Sequence, residues 1–318
     1  MANILLRSPY YVPLSKATGL SAKLELTIKG NTEDVSTLRY TIIKNTPTNN
    51  VTFEIAQLCR DYLDIAYAGS YISAVVEISG VVTWYDAVDA GGSSIGDPIP
   101  FTHTGFDGYW DYVNTSSDKN YCSSGVVCLM QDNTIVYVPE STAGFIPTLS
   151  SGAIVYEAFS TSSTTIAVGS PAQTITITRT QCSKNSPVKV TFVNKYGALQ
   201  DIYFDMKSTK SISTEIEKYN NSNISTTGTY SSQSHQFKTL TKRGRERITI
   251  NTGYIDDGMN EPMKQLMLSE QVWATIDSSI HPVDIATSNM TFKTNKNDKL
   301  VQYTLSLEYA HESIDRVR

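Results

Sequence analysis

The sequence predicts a mainly β protein, and three observations carry that reading. Apolar residues alternate with polar ones in several short runs. Helical spacing is confined to two brief stretches. The polar share comes from Ser, Thr, Asn and Tyr, since hydrophobic residues make up 40% of the 318-residue chain and charged residues only 18%. With 19 Tyr against 9 Phe and 3 Trp, the aromatics are of the kind that suits strands with one packed and one wet face. The chain is long enough for two domains. The expected architecture is two β-sandwich or barrel-like domains, each with a short helix, over 1–170 and 171–318.

In the first domain, KLELTIKG places Leu24, Leu26 and Ile28 on one face and charged or hydroxyl residues on the other. LRYTIIKN (38–45) reads as its partner strand. In VTFEIAQLCRDYLDI, Ile55, Leu58, Tyr62 and Ile65 recur at helical spacing, which predicts a helix near 55–64. YISAVVEISG and VVTWYDAV read as two strands separated by Gly80. Residues 89–108 are rich in Gly, Pro and Ser and predict a long surface loop. VVCLMQ and TIVYVPE resume strand character, with Asp132 and Asn133 as a hairpin turn between them.

A shift towards Ser, Thr, Gly and Pro over 140–172 sets the domain boundary near residue 170. Beyond it, QTITITRT and VKVTFVN alternate, the latter with Val188, Val190 and Phe192 on one face. Residues 220–234 are poor in apolar side chains and predict a hairpin tip or loop. NEPMKQLMLSE predicts a helix near 261–270, with Asn260 as N-cap, Pro262 in the first turn and Met263, Leu266 and Met267 as its buried stripe. The run VQYTLSLEY alternates without error from Val301 to Tyr309.

The functional signals are fewer. The formal charge of −5 and pI near 5.4 give no general footprint for nucleic acid. No run approaches the length of a membrane-spanning helix, and the N-terminus lacks the pattern of a secretory signal, which predicts a soluble chain made in the cytoplasm. Cys122 and Cys128 are six residues apart, a spacing that fits neither a metal knuckle nor, without export, a disulfide as well as it fits reduced thiols. His103, His235, His281 and His311 are remote from one another and from every cysteine, so no metal site is expected through them. The nucleophile-elbow, zinc-protease, P-loop and dinucleotide signatures are absent. Asp256, Asp257, Asn260 and Glu261 do not match a calcium loop and read as an acidic turn at a helix start. No enzyme, cofactor or small-molecule substrate is expected.

Two clusters remain as candidate sites. KTLTKRGRERITI carries Lys242, Arg243, Arg245 and Arg247 around Gly244. These cations could pair with acids of a neighbouring subunit or line a passage for DNA, and the first is the simpler reading. FDGYWDY carries Tyr109 and Trp110, which could face a glycan or simply pack at a loop edge.

Four segments, in order, carry a resemblance: VTFVNKYGALQDIYF (190–204), KRGRERITINTGYI (242–255), EPMKQLMLSEQVW (261–273) and HPVDIATSNMTFKTNKNDKLVQYTLSLEYA (281–310). With FEIAQLCRDYL and FDGYWDY more weakly, they resemble tail, neck and baseplate virion proteins of tailed bacteriophages, the crAss-like phages and their relatives. The resemblance implies a tail-tube-like C-terminal β domain and a structural subunit of the virion. It implies a homo-oligomeric ring beside other tail or neck proteins, brief contact with passing DNA, and no membrane partner. Long loops would then serve as interface arms. The alternative is a receptor- or glycan-binding fibre module using Tyr109 and Trp110.

Overall fold

The computed structural model describes residues 2–16, 18–46, 50–112, 125–130, 133–181, 186–230, 232–292 and 300–313. By contacts the chain forms two units. The first comprises 1–181 together with 191–202 and 258–271; the second comprises 182–190, 203–257 and 272–318. The division therefore lies near 181 rather than 170, and two later segments return to the first unit. Sequence order hid this, because composition marks linkers but not the destination of a returning segment.

The first unit begins with β1 (Ala2–Leu5), β2 (Tyr11–Ser15), β3 (Ser21–Lys29), β4 (Thr37–Asn45), β5 (Asn50–Glu54) and helix α1 (Ala56–Arg60). β6 (Val76–Tyr85) and β7 (Ile99–Phe106) follow. Five of these strands form a sheet in the order β1-β7-β6-β3-β4, with β1 parallel to β7 and the other pairs antiparallel. Leu24, Leu26 and Ile28 of β3 are fully buried on one face, with Val82 and Trp84 of β6. The β2–β5 ribbon and α1 join that core through Phe53, Ile55, Ala56 and Cys59.

Three expectations change here. The predicted loop 89–108 holds only to residue 98, since 99–106 is β7, an inner strand of the sheet. Pro100 and Gly105 gave that strand the look of a loop. β6 also runs straight through Gly80 rather than stopping there. A Cβ at Gly80 would lie 2.2 Å from the ring of Phe101, its cross-strand partner, so the aromatic face fills the place a side chain would take. Finally, α1 ends at Arg60. Asn31 takes both backbone groups of Asp64, donating to its carbonyl at 2.5 Å and accepting from its N–H at 2.8 Å, and so diverts the chain from another turn. At the other end, Glu54 accepts from the Ala56 and Gln57 N–H groups at 2.9 and 3.3 Å.

Next come β8 (Val126–Cys128), β9 (Ile135–Pro139), β10 (Gly144–Ser150), β11 (Ala153–Phe159), β12 (Thr165–Val168) and β13 (Gln173–Thr180). They form two three-stranded sheets, β11-β10-β8 and β12-β13-β9. β8 and β9 thus belong to different sheets, so the turn expected at 132–133 joins no hairpin; Asp132 itself lies outside the described residues, as do Cys122 and Cys182. Cys59 and Cys128 are buried free thiols. Arg179 of β13 donates to the carbonyls of Pro139, Thr142, Ser160 and Ser163 and lies over the Phe159 ring, tying the β9–β10 and β11–β12 connections together.

β14 (Val188–Val193) and β15 (Leu199–Phe204) cross the division between the units. The second unit holds β16 (Thr209–Asn220), β17 (Phe237–Asn251), β18 (Ile255–Asp256), β19 (Val272–Ile276), β20 (Ser279–Ile285), β21 (Leu300–Val301) and β22 (Thr304–Tyr309). Five of them run in the order β19-β20-β22-β17-β16, and Ile248, Ile250, Leu305 and Leu307 are buried on one face of that sheet. Neither unit contains a closed barrel among the described residues.

Helix α2 (Asn260–Met267) belongs by its contacts to the first unit rather than to the C-terminal domain in which it was expected. Asn260 is its first residue and Met259 the cap, because a 3-10 turn over Asp257–Met259 already leads the chain in. The buried stripe is Pro262, Met263, Gln265 and Leu266, with Gln265 in the place expected of Met267. The Gln265 carboxamide accepts from the Lys195 N–H at 3.2 Å, which makes a polar residue acceptable there.

Candidate assembly interface

β16 and β17 form a ribbon that leaves the body of the second unit. All twelve residues of β16 are exposed. β17 pairs with β22 only over Arg247–Asn251, so residues 237–246 have β16 as their strand neighbour and none on the other side among the described residues. Pairing runs from Thr209↔Thr249 to Asn220↔Phe237, with one irregularity between Glu217 and Lys218 that leaves Leu240 as an extra residue on β17. Beyond the strands the tip is a small hairpin of its own. Ile224 bridges Tyr230, the Ser225 N–H donates to Thr229 at 2.8 Å, and Gly228 takes the positive φ of the turn. The expected tip at 220–234 is where it was read.

Alternation divides the ribbon into two faces. Ser211, Ser213 and Glu215 share one with Arg247, Arg245 and Arg243; Ile212, Thr214 and Ile216 share the other with Glu246, Gly244 and Lys242. The sequence cluster is therefore split: the three arginines lie together and Lys242 points the opposite way. On the arginine face, Glu308 of β22 accepts from Arg245 Nη1 at 2.9 Å and Arg247 Nε at 2.5 Å. Glu312 lies 4.0 Å from Arg243. Arg243, Arg245, Arg247 and Glu308, with Ser213 and Glu215, line a concavity of 260 Å³. Hydrogen bonds from Arg245 and Arg247 hold the Glu308 carboxyl below its ordinary pKa, and the same pairing raises that of Arg245.

Three arginines facing Glu215, Glu308 and Glu312 make a mixed ladder, not a basic stripe. Such a surface matches charge patterns on another protein better than it matches a polyphosphate.

The other face was not singled out from the sequence. Ile212 is 59% exposed, Phe237 60% and Leu240 69%, and Ile216 is exposed beside them, while Tyr219 falls on the arginine face. The signal was there in the alternation of TKSISTEIEKYN, but only the missing cover shows that its apolar residues are unpartnered.

Tyr109 and Trp110 sit in the first unit, both half-buried. The Trp110 N–H donates to Ser8 Oγ at 2.8 Å, and its ring packs on the cluster of Leu5, Phe106 and Leu149. Arg7 lies 5.2 Å over the Tyr109 ring. Asp107, the carboxylate nearest to them in sequence, is 4% exposed and paired with Arg60 at 3.4 Å. Its pKa is raised by burial, against the pull of Arg60 and Arg7. The segment is arranged for packing, which leaves little open aromatic face for a sugar.

No protein-family model, curated protein or solved structure matches the chain. No helix among the described residues is long and apolar enough to cross a membrane.

Proposed function

We propose that this chain is a structural subunit of a tailed-bacteriophage tail, neck or baseplate that assembles into rings, with the β16–β17 ribbon as the arm engaging a neighbouring subunit. The observation that carries the proposal is the ribbon itself. A two-stranded hairpin is marginal in water, and this one presents isoleucine, leucine and aromatic side chains to solvent along an open strand edge. Covering one such side chain is worth about 2 kcal/mol, so a neighbour laid on this face would gain substantially. The mixed charges of the opposite face would set its register. The four resembling segments support the same reading, since two of them include β17 and β22.

The test is electron microscopy of the purified full chain and of virions, with the mass in solution measured by light scattering. Ring particles, or density for this chain at one level of a tail, are expected. A chain that remains monomeric at high concentration and has no position in a particle would overturn the proposal.

A further inference from the structure

Thirty residues apart in sequence, His281 of β20 and His311 come face to face in the second unit. β20 and β22 pair as Val283↔Tyr309, and the Ala310 N–H donates to the Pro282 carbonyl at 3.0 Å, so the register continues to His281 opposite His311. Bonded pairs alternate with unbonded ones along an antiparallel ladder, which makes 281–311 an unbonded pair, the kind in which side chains approach most closely. The ring centroids are 6.1 Å apart. Tyr309 orients both rings: His311 stacks on it at 5.5 Å and His281 meets it edge-on at 5.2 Å.

We propose that His281 and His311 form a two-imidazole site for a divalent transition-metal ion of the nickel or zinc kind. With metal–nitrogen bonds of about 2.1 Å, two imidazoles on one tetrahedral ion have ring centroids about 5 Å apart, so the pair needs to close by roughly 1 Å. Ring rotation about the side-chain torsions supplies that. Water completes the coordination, because no trio of His, Cys, Asp and Glu converges on a metal-sized space among the described residues.

The ion would act as a clip. His311 belongs to the segment 310–313, which is held by the Ala310 bond to β20 and by the Ser313 N–H donating to the Gly244 carbonyl of β17 at 2.9 Å. A metal joining 281 to 311 fastens that segment at the root of the ribbon.

The test is calorimetric titration of NiCl₂ into the full chain at pH 7.5, nickel being chosen because imidazole suits it and buried thiols compete less. One saturable site of micromolar affinity is expected. His281→Ala and His311→Ala should each weaken it by about tenfold or more, while His235→Ala, on the ribbon tip, leaves it unchanged. Absence of saturable binding, or binding indifferent to both substitutions, overturns the proposal. If either variant fails to fold, nickel-induced broadening of the His281 and His311 ring-proton signals in the native chain decides the question, and unbroadened signals overturn it.

Discussion

Arg247 and Glu308 face each other across two antiparallel strands and close an ion pair of 2.5 Å at the root of the ribbon. The same carboxylate also holds Arg245 at 2.9 Å. One acid thus fixes two cations on alternate positions of β17, and it does so at the point where the sheet gives way to the projecting arm.

This pairing sets a pH dependence. The Glu308 pKa is depressed in the fold, so its contribution to stability is present above the ordinary carboxylate pKa and is lost as the pH falls through the lower, folded value. Glu308→Gln should lower stability at pH 7 by about 1 kcal/mol or less, given how exposed the arginines are. Thermal melts of the two proteins should converge in acid. A gap that stays constant from pH 7 to pH 3 would refute the assignment.

Gly80 has room for no side chain, because Phe101 occupies the space. Gly80→Val should cost about 1–3 kcal/mol through overpacking, measured by urea denaturation. Phe101→Ala combined with it should recover part of the loss, since the clash is then relieved.

Ile216 and Leu240 are exposed and touch no core. Replacing both with Asp should leave monomer stability within about 0.5 kcal/mol of the wild type. Assembly, followed by light scattering and electron microscopy, should be lost. If particles form as before, the apolar face of the ribbon is not the contact.

Arg179 is bound by four carbonyl oxygens from two connections of the first unit. Arg179→Met keeps the stem but drops the donors and should cost about 2 kcal/mol in denaturant unfolding. Arg179→Lys should recover little, because an ammonium cannot reach on both sides as the planar fork does.

Much of the fold was legible in the sequence. Alternation located Leu24, Leu26 and Ile28 of β3 and the buried side of Val301–Tyr309, because a strand with one packed face must repeat every two residues. Both helices were found; α1 stops short where Asn31 binds the Asp64 backbone, and α2 starts one residue early where a 3-10 turn leads the chain in. The inner strand β7 was hidden by Pro100 and Gly105, whose local preferences are overridden by pairing with β1 and β6. The arginine cluster was visible as composition, yet its division between two faces depends on register with β16. The histidine pair was invisible for a related reason: the spacing of 281 and 311 becomes meaningful only once β20 and β22 are known to be neighbours.

The extra residue at Leu240 lies in the inner strand of the ribbon, so the outer strand is untouched by it. Sheet proteins commonly kink or interrupt their outermost strand to keep strangers from annealing to it. Here Thr209–Asn220 offers twelve regular residues without a proline or a kink. An isolated copy is consequently open to self-annealing along that edge, and a proline placed at the middle of the strand should lower any insoluble fraction formed on expression.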